Sequence, residues 1–419
     1  MKIGKALHPG LLVAAMLLSG CAGRGGQATD AAAGGPVTDD SAEVAGEDIP
    51  VIDLTKRYPE RTVDLGEIAD IRYVPLETTE KSLISSVTNV AMRDNRIIIY
   101  DYEEKKVFIF DGEGRYLRRV SAFGAGPREY LNPHHCAVDF DNELIYIFDF
   151  GWPRSTLKVF DFDGYWVRKV DVGEIPSFYE MYLFDKDRLI VRCDPTMALN
   201  VQKKDKIGNH PYWLIDVNTG ETGAVAVEFD GKAIGANNSV TARTDDGYIS
   251  MSYVGIKSTH KYDNQVIISE FTDTLAYRGV DGTLVPLVSL IQPEGNDRDQ
   301  QTLTSISYMS DRFIAFNSVK KRVDRQSGKM EVLNRRFLMY DRENKSVSET
   351  YINERDIENG TCDFNSWEQD LPRNTVVHRL PVDFLKWALE RDKLKGPLKE
   401  LADTIDEDAN TVLEIVTFK

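Results

Sequence analysis

One stretch of this chain recurs at a fixed offset, and that recurrence constrains the fold more than any other feature. Residues 108–120 (FIFDGEGRYLRRV) align with residues 158–170 (KVFDFDGYWVRKV), fifty positions later. Phe110-Asp111 falls on Phe160-Asp161 and Val120 on Val170. Upstream, RIIIYD at 96–101 meets LIYIFD at 144–149. Weaker copies follow at Leu214-Ile215-Asp216, at Tyr277 before Val280-Asp281-Gly282, and at Met339-Tyr340-Asp341. Each copy reads as short strands rich in Ile, Val, Phe and Tyr, broken by Asp-Gly or Asp-Asn turns. A unit of about 40–50 residues with about four short strands is the pattern of a propeller blade.

Five such units span roughly 85–120, 133–172, 178–229, 239–290 and 302–352. A sixth is expected where the last strand, Thr411 to Lys419, pairs with a strand around Ile71 to Leu76. Closing a ring this way leaves no open sheet edge. A pair of β-sandwiches would explain the strands but not the constant offset. The fold expected is therefore all-β, a six-bladed β-propeller over 61–419. One segment departs from β: Val382 to Arg391 puts Phe384, Leu385, Ala388 and Leu389 on one helical face. Gly396-Pro397 interrupts it, and Leu398, Leu401, Ala402 and Ile405 suit a second short helix. Both read as a cover on the last blade, inserted before its closing strand.

The N-terminus reads as an address. Lys2 and Lys5 precede the apolar run Leu11 to Leu18, and Ser19-Gly20-Cys21 follows. That order marks a secretory signal over 1–20. Residues 21–60 read as a flexible tether, because 22–57 hold no aromatic residue and are rich in Ala, Gly, Asp and Thr. Net charge is −16, which argues against a nucleic-acid partner. No internal run approaches the ~18 apolar residues of a membrane span. Beyond Cys21 the chain carries Cys136, Cys193 and Cys362, an odd number that cannot all pair. Cys136 and Cys193 sit in apolar runs and read as small buried hydrophobes.

Residues 124–150 (GAGPREYLNPHHCAVDFDNELIYIFDF) resemble an NHL-type repeat. The whole of 65–419 is similar to the NHL- or TolB-like six-bladed propeller lipoproteins of Bacteroidetes, through IRYVPLETT, FTDTLAYRGVDGTLVPL and DEDANTVLEIVTFK. Two positions depart from that family. Arg128 replaces the second glycine of its Gly-Pro-Gly-Glu-Tyr connector, and Asn410-Thr411 stands where it has Asn-Pro. LSGC at 18–21 resembles a bacterial lipobox. The resemblance implies cleavage before Cys21, lipidation of Cys21 and, with Ala22 rather than Asp following, an outer-membrane anchor.

In a blade of strands A to D, the D–A and B–C connections share one face. Gly124 to Pro133 is a D–A connection, and 101–105 and 149–155 are B–C loops. The long insertions 194–210, 254–272 and 317–336 also read as B–C loops. Loops on a rigid scaffold are where binding concentrates. The contact residues expected there are Arg128, Glu129, Tyr130, Trp152 and Arg154, since aromatic and Arg side chains dominate binding hot spots. Lys320, Lys321, Arg322 and Arg325 join them from 317–336, a loop with seven basic residues against two acidic. Such a face would attract an acidic glycan or peptide; the plainer reading is a solvated hairpin.

No catalytic residue is assigned, because no Gly-x-Ser-x-Gly, Walker or His-Glu-x-x-His motif occurs. His134-His135-Cys136 is the one His/Cys cluster, with 134 and 136 on one side of a strand. Two ligands fall short of the three or four a zinc site needs. His210, His260 and His378 are further imidazoles with no helpful spacing, so no metal site is assigned. No cofactor is expected; the alternative is calcium in the central channel, on residues such as Asn89 and Asp139. The function expected is a monomeric envelope lipoprotein scaffold that binds an envelope protein, or an acidic glycan or peptide, through the loop face. The second reading is a metal-assisted hydrolase or lyase acting on a glycan or lactone in the channel.

Overall fold

The computed structural model describes residues 49–120, 122–151, 154–193, 210–227, 229, 239–243, 249–294, 300–324, 329–362 and 370–419. The chain opens with β1 (Val51–Asp53), β2 (Glu60–Asp64), the one-turn helix α1 (Leu65–Ile68) and β3 (Ala69–Pro75). Its three strands join sheets built by later residues. An antiparallel sheet follows, of β4 (Asn89–Arg93), β5 (Arg96–Asp101), β6 (Lys106–Asp111) and β7 (Tyr116–Val120). A second holds β8 (Pro133–Asp139), β9 (Leu144–Asp149), β10 (Thr156–Asp161) and β11 (Trp166–Asp171). A third holds β12 (Phe178–Leu183), β13 (Arg188–Cys193), β14 (Tyr212–Asp216) and β15 (Thr222–Ala224). Then β16 (Ser239–Arg243) and β17 (Ile249–Tyr253) form a sheet of their own.

The fourth sheet has β18 (Thr259–Tyr262), β19 (Gln265–Ile268), β20 (Leu275–Val280) and β21 (Thr283–Ile291), with β1 parallel beside β21. The fifth has β22 (Gln300–Met309), β23 (Phe313–Asp324), β24 (Lys329–Asp341) and β25 (Ser346–Asn353), with β2 parallel beside β25. The last runs β26 (Thr375–Leu380), β27 (Val412–Phe418), β3. Its pairing of Val412 with Pro75 through Phe418 with Ala69 matches the expected union of the two chain ends. Between β26 and β27 lie α2 (Val382–Glu390) and α3 (Gly396–Thr404), whose Leu385, Ala388, Leu398 and Ala402 pack against Leu380 and Val412 as a cover.

The recurring strand-end Asp has a local cause. Each such Asp ends a strand and accepts backbone N–H groups of the turn after it: Asp111 from Glu113 and Arg115, Asp161 from Tyr165, Asp216 from Asn218 and Thr219, Asp341 from Glu343 and Asn344. Gly114 and Gly164 complete two of these turns at φ +80° and +81°. The strand register also slips at the same place in both copies, between Ile109 and Phe110 and between Val159 and Phe160.

Strands such as β5, β6 and β13 are buried along nearly their whole length, as strands covered on both faces must be. The apolar clusters show what covers them. One core lies between the first and second sheets (Val107, Ile109, Val138, Ile147) and one between the second and third (Phe148, Val159, Met181, Val191). Others lie between the third and fourth (Tyr182, Tyr212, Val266, Ile268), the fourth and fifth (Ile267, Val288, Ile314, Phe316), and the fifth and last (Tyr308, Ile352, Val376, Val416). A further core joins the last sheet back to the first (Val74, Leu413, Val90, Phe108).

Turns meet across this arrangement. Arg93, at the end of β4, reaches Asp141 of the second sheet (2.6 Å), Asn264 of the fourth (2.9 Å) and Asp370 ahead of β26 (3.1 Å). Lys261 also reaches Asp370 (3.2 Å), and Tyr262 and Arg373 both donate to Asp311 of the fifth sheet.

Four expectations change. The unit drawn over 239–290 begins at Thr259, because 239–253 pairs with itself instead of entering the sheet. The B–C loop read as 254–272 is therefore 269–274, between β19 and β20. The loop read over 317–336 is mostly strand: β23 and β24 pair from Phe313–Asp341 out to Asp324–Lys329. The tether read over 21–60 overlaps β1, because Ile52 and Leu54 bury their side chains in the core between the fourth and fifth sheets.

Candidate functional site

The connection 122–132 and the loops after β5 and β9 stand at one end of the first two sheets. Tyr130 donates through its backbone N–H to the Ala122 carbonyl, and Gly124 returns an N–H to the Tyr130 carbonyl. Glu129 folds back so that its carboxylate accepts from the Gly126 N–H at 2.7 Å. The Asp149 carboxylate takes the N–H groups of Leu131 (3.0 Å) and Asn132 (2.7 Å), and Phe150 donates to the Asn132 carbonyl. These bonds hold the connector against the end of β9.

What they hold up is apolar. Phe123, Leu131 and Phe150, carried by the connector and the loop after β9 that these bonds join, are 57%, 60% and 45% exposed. His134 meets the Phe150 ring edge-on at 5.9 Å and the Tyr102 ring at 6.0 Å. Lys105 sits over Tyr102 at 4.3 Å. His135 stacks on Phe178 at 4.9 Å, carrying the aromatic run to the start of the third sheet. Burial and the neighbouring His134 push the His135 imidazole down to about 3, so it is neutral at any physiological pH.

The residues expected to make contacts divide. Arg128 and Arg154 are exposed beside this patch in sequence and fit that role. Glu129 is half-buried, its carboxylate spent on Gly126. Tyr130 is in the core: it is 1% exposed, its hydroxyl donates to the Lys105 carbonyl at 2.7 Å, and its ring meets Phe160 edge-on. An aromatic residue in a connector satisfies the pattern of an anchor as readily as that of a contact. Trp152, Arg325 and Cys21 lie outside the described residues.

Part of the basic hairpin's charge is paired. Arg322 pairs with Glu331 at 2.5 Å, Arg336 with Glu349 at 3.1 Å, and Arg335 donates to the Val254 carbonyl. Lys320 is exposed, but Lys321 on the next position of β23 is buried, and burial pushes its ammonium down to about 8. Strand alternation separates two lysines that a loop would have presented together.

His134 and Cys136 both face the first sheet, His134 exposed against the Tyr102 ring and Cys136 buried in the core on which Tyr102 packs, while His135 turns to Phe178 of the third sheet. Asp139 accepts on both carboxylate oxygens from the turn at Asp141 and Asn142. His210 faces the Val225 and Val227 carbonyls, and His260 is buried, its imidazole pushed down to about 3 by that burial.

A second polar group, which sequence reasoning missed, lies between the third and fourth sheets at the same ends of β13 and β19. The Arg192 guanidinium makes a two-pronged pair with the Glu270 carboxylate, with both side chains buried. It is flanked by the Tyr179 and Phe271 rings at 4.9 and 5.3 Å. The Tyr212 hydroxyl is 2.9 Å from Glu270 and 3.0 Å from Ser258. Opposite Arg192 in the ladder stands Glu180, fully buried; that burial, against the pull of Lys257, pushes its carboxyl up to about 7. The signal that could have found this group is a charge inside each of two apolar runs, RLIVRC and VIISEF.

The comparisons with known proteins bear on fold and family. A protein of Bacteroides fragilis described as exported superposes with a TM-score of 0.59 at 13% identity, over 88% of this chain and 99% of that one. A member of the DUF4221 family from Bacteroides vulgatus superposes with a TM-score of 0.41 at 11% identity, over 84% and 97% of the two chains. No curated protein matches the sequence. A family model does match, over residues 49–417, which include every sheet described above, and the chain accordingly belongs to DUF4934, a domain of unknown function.

Proposed function

We propose that this chain is an exported, lipid-anchored six-bladed β-propeller that binds an envelope protein through the face bearing the 122–132 connection. Support for the ring comes from the cores: each joins successive sheets, and one returns from the last sheet to the first. The turn network around Arg93, which joins first, second, fourth and last sheets, points the same way. Support for export comes from the signal-like N-terminus with its LSGC string and from the exported protein of Bacteroides fragilis that shares the fold.

The observation that carries the binding reading is that Phe123, Leu131 and Phe150 are all exposed on the hydrogen-bonded connector and the loop after β9, with the His134 ring against Phe150. Exposed apolar area held rigid by hydrogen-bonded loops marks an interaction surface. A centre of aromatic and aliphatic groups with Arg nearby, here Arg128 and Arg154, is the composition of a protein–protein hot spot. The Arg residues favour a partner with acidic groups at its rim.

The test is Leu131→Ser with Phe150→Ser, introduced together in the full chain. Both side chains are exposed, so the melting temperature should stay within a few degrees of the parent. Recovery of a stoichiometric partner from the native envelope is expected to fall at least tenfold, which corresponds to about 1.4 kcal/mol. Undiminished recovery by a folded double variant would exclude this face.

A further inference from the structure

The chain past β25 turns sharply back on itself. Glu354 donates its N–H to the Gly360 carbonyl, Gly360 to that of Ile357, and Cys362 to that of Ile352. A Cβ at Gly360 would stand 2.9 Å from the Cβ atoms of Glu354 and Ile357, so the turn closes only on glycine. The return brings Cys362 beside Glu354 and presents both to the last sheet. There His378 of β26 and Glu414 of β27 are direct cross-strand partners, and Tyr73 of β3 stands opposite Glu414.

The side chains converge. The His378 Nδ1 is 2.8 Å from the Glu414 Oε2, while its Nε2 is 3.5 Å from the Cys362 Sγ. Donor atoms of Glu354, Cys362 and His378 all lie within 4.8 Å of one another. Cys362 and Glu414 are buried, at 5% and 1% exposure. One oxygen of each carboxylate, Glu354 Oε2 and Glu414 Oε1, is buried without a hydrogen-bond partner. The guanidinium next in sequence, Arg355, is committed to Asp356 at 2.6 Å. Two carboxylates and a thiol thus face one imidazole in a largely buried site, an arrangement that a cation would balance.

We propose that Glu354, Cys362 and His378 bind a divalent transition-metal ion of the zinc class, with Glu414 as the carboxylate that orients the histidine. Sulfur, nitrogen and carboxylate oxygen together are a zinc-type donor set. A tetrahedron with metal–sulfur and metal–nitrogen bonds of about 2.3 and 2.0–2.1 Å has a sulfur–nitrogen edge of ~3.5 Å, which is the distance here. The Nδ1–H donated to Glu414 leaves the Nε2 lone pair aimed at the site, the usual carboxylate–histidine–metal relay. Three protein ligands leave the fourth position to water or a small anionic ligand. Residues 354–362 come from one long turn and 378 from a later strand, so spacing alone could not have suggested the set.

The same four side chains also have the order of a thiol–imidazole–carboxylate triad. Glu354 speaks against that use, since a carboxylate beside Sγ opposes the thiolate a nucleophile needs.

The test titrates the full chain with Zn²⁺ and, separately, with Co²⁺. One ion per chain is expected, and the cobalt form should show a thiolate-to-metal charge-transfer absorption. Cys362→Ser should abolish that band and weaken binding at least 100-fold. Glu414→Gln should keep the band and weaken binding about 10- to 100-fold, as loss of an orienting carboxylate does. A band that survives Cys362→Ser, or no band in the parent, overturns the proposal. If Cys362→Ser fails to fold, alkylation of the parent decides, with peptide mapping to separate Cys362 from Cys21, Cys136 and Cys193. Zinc should protect Cys362; equal alkylation with and without zinc overturns the site, and fast zinc-insensitive alkylation of Cys362 alone would point to the triad.

Discussion

Glu180 is a residue whose chemistry is altered by its surroundings. Its carboxyl titrates near 7 in the folded chain against 4.5 when solvated, because burial penalises the charged form. Between those values the unfolded chain has released the proton and the folded chain has not. The folded state therefore binds more protons, and this group withdraws stability as pH rises through the window. Glu180→Gln removes the ionisation. At pH 8 the variant should be more stable than the parent by up to ~3 kcal/mol, and at pH 4 it should hold no such advantage. Urea unfolding at the two pH values measures this, and an equal difference at both would contradict the assignment. Neither Glu180 nor the Arg192–Glu270 pair was legible beforehand, since Arg192 and Glu270 lie 78 positions apart. A charge in an apolar run announces a buried partner without naming it.

At the scale of elements the repeat was legible because its punctuation is chemical. An Asp that caps its own turn, followed by a glycine in the left-handed region, leaves a mark in the sequence wherever it occurs. Gly114 and Gly164 share that backbone conformation but not its surroundings. A Cβ at Gly114 would lie 2.3 Å from the Pro75 carbonyl oxygen, whereas one at Gly164 would lie 3.0 Å from that of Arg119. Gly164→Ala should cost about 1–2 kcal/mol, the ordinary price of a left-handed residue, and Gly114→Ala clearly more, since backbone must move. Equal losses in chemical denaturation would show that the contact with β3 does not constrain the turn. Which sheet a strand enters was much less legible. SVTAR and ISMSY have strand composition, yet propensity does not distinguish a hairpin that pairs with itself from the inner half of a sheet. The long β23–β24 hairpin was hidden by its charges, which read as a loop, although Arg322, Arg335 and Arg336 have cross-strand, neighbouring-strand or backbone partners.

The whole molecule was easier to anticipate than its parts. A fifty-residue period, together with a final strand that could only pair near the beginning of the fold, already implied the union of β27 with β3. The face proposed for binding could be chosen from topology, but which of its residues are exposed could not, because exposure depends on packing that the period does not encode. Tyr130 went inward, while Leu131, its neighbour in the chain, went outward. The measurement that bears most directly on the proposed function is site-specific photo-crosslinking in the native envelope. The crosslinking residue would replace Leu131 or Phe150 on the loop face, or Tyr165, also exposed, on the β10–β11 turn. A discrete adduct from the first two positions and none from Tyr165 is the result expected of a protein that binds through this face. Adducts of equal yield from all three, or from Tyr165 alone, would contradict it.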